Sequence, residues 1–317
     1  MSGLEKKLAE ISTILTSDEL ILHLNDKNNL VISRAVNQAA AINAEELRSE
    51  IAKILFALLT AADNIKTDKG CRAKIACVKA LSSFKSVYEY YDLICLSLTY
   101  RQLEPVFGGK EDTGAFLRAE AVTALAQITA KDTVLEISPL IFDTCYQPQI
   151  AAVKALKYIA SNSAISVLRA KAAAGSQDTN VLAELFSAII EIDPDPLMFF
   201  KRLLYSDYSD VGKINILFAA GNFKTDEAFE FLKEFYDINS DLMLKRQIII
   251  AISFTRTEKA YQFLKNLLKD GGTNSISAAE SIVSYLTNDH RINEVKSIVK
   301  ETGDDKLADI ISSNLMP

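Results

Sequence analysis

Residues able to do chemistry are few in this sequence, and their spacing works against most of the reactions they serve. The two histidines, His23 and His290, stand near opposite ends of 317 residues. Neither belongs to an HExxH or HxxxH pattern, which would set two imidazoles on one helix face around a metal. Cys71, Cys77, Cys95 and Cys145 form no CxxC pair. Cys71 and Cys77 are separated by about 240° of helical rotation and so do not face one another. The four thiols read as small buried hydrophobes in a reducing compartment rather than a disulfide framework. Gly108–Gly109 and Gly271–Gly272 are followed by no GK[ST], and neither GxGxxG nor GxSxG occurs. The carboxylate pairs Glu45–Glu46, Glu111–Asp112 and Asp304–Asp305 fall where helix caps and solvated faces are expected. The expectation is a non-enzymatic protein without metal or cofactor.

Binding is the better use of the remaining polar residues. Lys69, Arg72, Lys74, Lys79 and Lys85 make a basic run on one predicted helix and its end. With Ile75, Val78 and Leu81 turned inward, Arg72 and Lys79 share an outer face. The segment Tyr100–Glu111 is long for a helix–helix connection. Pro105 biases Glu104 away from helix, and Gly108–Gly109 permit positive φ. Such an irregular loop at the edge of a regular stack is either a ligand contact or a structural plug. In the structural version, Phe107 fills a gap between helices and Glu104 pairs with Arg118 or Arg101. Arg118, near the start of its helix, is placed to pair with an acid of the neighbouring unit. Phe231 and Phe235, at i and i+4, have the spacing of a packed interface.

The elements that must position these residues are helices. Hydrophobic residues make up 49% of the chain and Gly plus Pro only 17 positions, a balance of ample apolar surface and few turns. Leu4, Leu8, Ile11 and Leu15 mark a first amphipathic helix. Further helices are expected at Glu19–Leu24, Leu30–Ile42, Ala44–Ala62 and Lys69–Phe84. Val122, Val153, Leu185, Leu217 and Ile249 occupy equivalent places in successive units, at steps of 31, 32, 32 and 32 residues. A helix pair of that length cannot bury its apolar stripe alone and must stack on its neighbours. Turns are expected at Asp112–Thr113, Lys131–Asp132, Asp178–Thr179 and Gly271–Gly272, with Asp112, Asp178 and Asp210 as helix caps.

Charge narrows the partner. The net charge is −6, and residues 1–158 and 159–317 hold 18 basic against 19 acidic and 17 against 22. Neither half has the basic excess that phosphate neutralisation requires, which argues against nucleic acid as the main partner. The N-terminal stretch lacks the continuous apolar core of a signal peptide. The run Ile51–Ala62, interrupted by Lys53, is too short to span a bilayer. A soluble, cytoplasmic protein is the expectation.

Second helices of the form LRAEAVTAL and QIAAVKAL, in units of about 32 residues, resemble HEAT repeats. They look closest to the short HEAT-like repeats shared with phycobilisome-lyase proteins. QLEPVFGG followed by DTGAFLRAEAV is similar to bacterial HEAT-repeat proteins. The resemblance implies an all-α, right-handed superhelix over residues 1–317. Residues 1–16 would cap one end, 17–86 would be divergent repeats, 87–287 regular repeats and 288–317 a closing repeat. The likeness carries no activity over with it; the expectation for function is a scaffold or adaptor whose concave face, lined by the second helices, holds a protein or peptide. The candidate contacts are Arg72, Lys79, Glu120, Lys154, Lys157, Glu184, Lys213 and Arg246, with Arg101, Glu104, Phe107 and Arg118 at the loop edge. Two rivals follow from related folds: a base-excising DNA glycosylase, and a lyase or chaperone for a tetrapyrrole-bearing protein. The absence of Trp and the acidic balance weigh against the first. The di-iron HEAT-repeat hydroxylases use His–Glu pairs, and no His here is followed by Glu.

Overall fold

The computed structural model describes residues 2–85, 87–128 and 133–313. The turn expected at Lys131–Asp132 and the end of the last expected helix, Leu315, lie outside them. The chain packs as two compact units, Met1–Lys171 and Ala172–Pro317, each a stack of α-helix pairs.

The first unit contains α1 (Gly3–Ile11), α2 (Ser17–Leu24), α3 (Asn29–Ala41), α4 (Arg48–Thr60), α5 (Asn64–Thr67) and α6 (Arg72–Ser83). These are followed by α7 (Tyr91–Ser97), α8 (Gly114–Ala126), α9 (Thr133–Ile137) and α10 (Tyr146–Ile159). α11 (Asn162–Ala174) spans the point where the units divide. Four second helices, α3, α6, α8 and α10, lie side by side as one layer. α2 covers α3, α4 covers α6, α7 covers α8, and the 3₁₀ segment Ser138–Phe142 covers α10. Pro139, in the first turn of that segment, lacks the N–H that a continuing α9 would use.

The second unit repeats the plan with less interruption. Its layer is α12 (Thr179–Ile192), α14 (Asp210–Asn222), α16 (Leu242–Phe254), α18 (Thr273–Ile282) and α20 (Asp305–Ser313). The covering helices are α13 (Pro196–Leu204), α15 (Asp226–Ile238), α17 (Glu258–Asp270) and α19 (Asp289–Thr302).

Val122, Val153, Leu185, Leu217 and Ile249 sit on α8, α10, α12, α14 and α16, each at most 1% exposed. Small residues set how closely these helices approach. A Cβ at Gly221 on α14 would lie 2.3 Å from the carbonyl oxygen of Ala251 on α16. Phe231 and Phe235 are buried with ring centroids 5.2 Å apart.

Several expectations are corrected. The helix expected from Lys69 begins at Arg72, because Gly70 and Cys71 adopt left-handed φ of 71° and 54°. Asp178 caps α12 through the N–H groups of Asn180 and Val181. Asp210, however, is the first residue of α14, whose cap is Ser209. The segment expected to be an irregular loop is a β-hairpin, β1 (Leu103–Val106) paired antiparallel with β2 (Gly109–Asp112).

Candidate functional site

The hairpin separates two kinds of residue. Val106 pairs with Gly109, so Phe107–Gly108 is a two-residue turn, and Gly108 takes the positive φ of 85°. Alternation along β1 sends Leu103 and Pro105 outward and Glu104 inward. Phe107 at the tip is fully exposed, so it fills no gap between helices, contrary to the structural expectation. Paired at Val106 and Glu104, β1 points the backbone nitrogen of Pro105 to its free edge. That nitrogen carries no hydrogen, which blunts the edge against strand addition.

The base of the hairpin is built into a buried polar network. Glu104 is 4% exposed and accepts from the Gly70 N–H at 2.6 Å, Gln102 Nε2 at 2.7 Å and Thr113 Oγ1 at 2.8 Å. It pairs with neither Arg101 nor Arg118, a correction that follows from the inward turn of β1 beside the Gly70–Cys71 corner. Burial alone would raise its carboxyl, and these donors together hold it below the usual range. Gln102 also donates to the Asp68 carbonyl and accepts from Lys74 Nζ and the Tyr100 hydroxyl. Lys74 is buried against Asp68 at 3.3 Å and is therefore no part of an exposed basic run. Burial pushes the Cys71 thiol, 3.8 Å from Thr113 Oγ1, up to about 11. A thiolate nucleophile needs the opposite shift.

A second cluster adjoins the first. Arg118 is 0% exposed and grips Asp143 bidentately, Nε and Nη2 each at 2.9 Å, while Nη1 reaches Asp112 at 2.9 Å and the Tyr100 carbonyl at 2.8 Å. Arg101 bonds the same acids from outside, at 3.0 Å to Asp143 and 3.1 Å to Asp112. Burial would raise both carboxyls. For Asp143 the Arg118 hydrogen bonds and the Cys145 N–H prevail, and for Asp112 the Gln102 N–H and both arginines do. Both are held below the usual carboxylate range. The network joins α8, the hairpin and the turn before α10. The side chains of Glu104 and Arg118 are both enclosed, with Glu104 Oε1 and the Arg118 guanidinium bonded within the protein. Arg101 remains half-exposed at the edge.

The other candidates lie on the helix layers. Arg72 and Lys79 are exposed on α6, and Arg72 borders a depression of about 480 Å³ beside Glu104, Pro105 and Glu111. Glu120 on α8 is half-buried, and burial raises its carboxyl against the opposing charge of Lys79. Lys154 is exposed and Lys157 half-buried on α10. In the second unit Glu184 lies half-buried on α12. Lys213 borders a cavity of about 250 Å³ with Tyr205, Phe235 and Ile248, and Arg246 pairs with Glu280 at 3.1 Å.

Lys154 borders a third and wider opening. A cleft of about 780 Å³ lies along α8 and α10. Its floor is alanine: Ala126, Ala151 and Ala155. Tyr146, Ile150 and Tyr158 rise from α10, with the tyrosines 48% and 72% exposed, and Thr123 and Gln127 form the α8 side. None of these residues was a candidate from sequence. The available signal was the spacing Tyr146, Ile150, Lys154, Tyr158 at i, i+4, i+8 and i+12. The core stripe of that helix is already supplied by Ala152, Val153 and Leu156, so a second stripe of large side chains must face outward.

Among the described residues no group of three His, Cys, Asp or Glu could hold a metal ion, and no helix is long and apolar enough to cross a membrane.

No protein-family model and no curated protein matches the chain. Solved structures similar to it include YibA of Escherichia coli, at 15% identity and a TM-score of 0.49, covering 89% of this chain and 97% of that one. An engineered protein is similar at 16% identity and a TM-score of 0.44, covering 97% and 94%. The complex of CpcE and CpcF of phycocyanin lyase from Nostoc is similar at 15% identity and a TM-score of 0.38, covering 79% and 94%. No residue role or activity is carried over from them. The chain's own stacked helix pairs recur at the spacing read from the sequence.

Proposed function

We propose that this chain is a protein-binding scaffold whose first unit receives a peptide segment along α8 and α10. The observation that carries the reading is the cleft itself. Its alanine floor and exposed tyrosines combine low side-chain entropy with large apolar contact area, the composition of an anchoring pocket. The exposed hairpin side chains of Leu103, Val106 and Phe107 supply a second apolar surface on the same unit. By contrast, Arg118 is bound to Asp143, Glu104 Oε1 to Gln102 and Thr113, and Lys74 to Asp68, so these polar groups are used within the protein. A mixed apolar and polar surface of this kind suits a protein better than a polyanion.

The test is site-specific crosslinking in a lysate of the source cells. A photoreactive phenylalanine replaces Tyr158 in one preparation and Leu22, 74% exposed on α2, in another. The reading expects a discrete protein adduct at Tyr158 that is lost when Ala151→Trp fills the floor. Adducts of equal yield at both positions, unchanged by Ala151→Trp, would reject it.

A further inference from the structure

The hydrogen bonds of Glu104 leave half of its carboxylate unused. Gly70 N–H, Gln102 Nε2 and Thr113 Oγ1 all donate to Oε1. Among the described residues no donor reaches Oε2, and that oxygen is not sealed from solvent. Glu104 is 4% exposed and lines the depression of about 480 Å³ at the hairpin base, so Oε2 opens there. Burial works against the charge, but the three donors, helped by the charge of Lys69, keep the group ionised. A carboxylate oxygen so placed gains free energy from any donor that reaches it. The same depression holds the opposite need. Lys69 and Arg72 line it, are exposed, and make no ion pair or hydrogen bond among the described residues. Arg72 folds back over the left-handed Gly70, its Nε 3.7 Å from where a Cβ would stand. Since the Gly70 nitrogen is 2.6 Å from Glu104 Oε1, covalent geometry keeps this Nε within about 9 Å of the carboxylate. Glu111 on β2 adds a second exposed carboxylate, and Leu30, Pro105 and Val106 supply an apolar wall. Apolar walls with a few convergent polar groups are the composition of a small-molecule site.

We infer that this depression binds a free α-amino acid with an apolar side chain. The ammonium donates to Glu104 Oε2, the carboxylate accepts from Arg72 and Lys69, and the side chain lies on Leu30 and Val106. The reach agrees. An ammonium and a carboxylate on one carbon stand about 3 Å apart, and a hydrogen bond of about 2.9 Å at each end extends them to about 9 Å. One molecule can therefore engage both groups. The charge balance agrees as well: Lys69 and Arg72 face Glu104 and Glu111, which suits a zwitterion better than a net anion or cation. An inorganic anion would satisfy the two cations and leave Oε2 without a donor. The depression shares no lining residue with the cleft on α8 and α10, so this inference is independent of the scaffold reading.

The experiment is isothermal titration calorimetry of the full chain with leucine, leucinamide and isocaproate. Leucinamide lacks the carboxylate, and isocaproate lacks the ammonium. Leucine is expected to bind with a Kd below about 1 mM, and each analogue at least about tenfold more weakly. Two variants, each first shown by circular dichroism to be folded, assign the two ends. Arg72→Gln, at an exposed side chain, should cost leucine about tenfold in affinity and shrink its advantage over leucinamide. Glu104→Gln keeps an acceptor for the three internal donors and puts an N–H donor in place of Oε2. It should also cost leucine about tenfold, and erase the advantage over isocaproate. Absence of leucine binding to the unaltered chain, or isocaproate binding as tightly as leucine, would overturn the inference. So would leucine binding that is unchanged in folded Arg72→Gln.

Discussion

The two units use different means to join one repeat to the next. In the second, neighbouring helices meet through apolar and aromatic contacts, such as Phe218 on α14 against Phe254 on α16 at 5.7 Å and Tyr236 on α15 against Phe263 on α17 at 5.1 Å. Its covering helices are laced at the surface by ion pairs one repeat apart: Lys201–Glu234, Lys259–Glu230 and Arg291–Glu258. In the first unit the covering elements are short and broken, at α7, α9 and the Ser138–Phe142 segment. There the joints are buried and ionic, through Asp68, Lys74, Arg118 and Asp143. An interrupted repeat leaves backbone groups and gaps that apolar stacking cannot satisfy, and a connected polar network does so at a desolvation cost. The same interruption frees the hairpin to project.

The largest test concerns the stacking common to both units. Leu125 is 0% exposed on α8, and Leu125→Asp would bury an unpaired charge between stacked helices. Amide exchange should lose protection throughout α6, α8 and α10. Protection retained there would mean that the repeat register is wrong. Next in size is Arg118→Met, which leaves Asp143 and Asp112 buried without their chief partner. A loss of about 3–5 kcal/mol is expected, read as local unfolding of the first unit by hydrogen exchange. A loss below about 1 kcal/mol would show that the network behaves like a surface pair, and the contrast between units would fail.

Acid should separate the units in the same way. The carboxyls of Glu104, Asp112 and Asp143 are held below their unfolded values of about 4.3 for Glu and 3.9 for Asp. Their stabilisation is therefore present above those values and is lost as pH falls through the lower folded ones, below about pH 4. In the second unit Glu234 and Glu294 are also lowered, chiefly by hydrogen bonds from Lys201 and Lys265, but solvent and salt screen them. Exchange measured on acidification should expose α8 before α16. Simultaneous exposure would put the acid sensitivity elsewhere.

A close apolar approach is the second unit's own weak point. Alanine at Gly221 would gain about 1 kcal/mol in helix propensity. Its Cβ, however, would stand 2.3 Å from a backbone oxygen of α16, which has no flexible side chain to yield. The clash should win, with a net loss of about 1–3 kcal/mol in α14 and α16. Unchanged thermal stability of Gly221→Ala would show that these helices have room to part.

Much of this architecture was legible in sequence, because a helical repeat writes its core at a fixed period. Val122 through Ile249 are buried at the positions the spacing assigns. The hairpin was not legible. Four-residue strands with Pro105 at one edge and Gly108 in the turn read as loop chemistry, and pairing two short strands leaves almost no periodic trace. Arg118 was legible as a partner for an acid, yet Asp143 could not be identified, since the contact spans 25 residues across an interrupted helix. The cleft was hidden for a different reason. Its alanines read as close-packing residues, which they are, and only the placement of α10 beside α8 shows that Ala151 and Ala155 also floor an opening.

The smallest expected effect tests the second unit's surface lacing. Lys259 is half-exposed and lies 2.7 Å from Glu230 and 3.7 Å from Asp226, on adjacent covering helices. Both acids keep their access to water when the lysine is removed, so Lys259→Ala leaves no charge stranded. The loss should be at most about 1 kcal/mol and should fade in high salt. A loss as large as that of Arg118→Met, persisting in salt, would mean that the surface pairs of the second unit act as one cooperative network. The difference between the units would then lie in where their ion pairs sit, and no longer in how much stability depends on them.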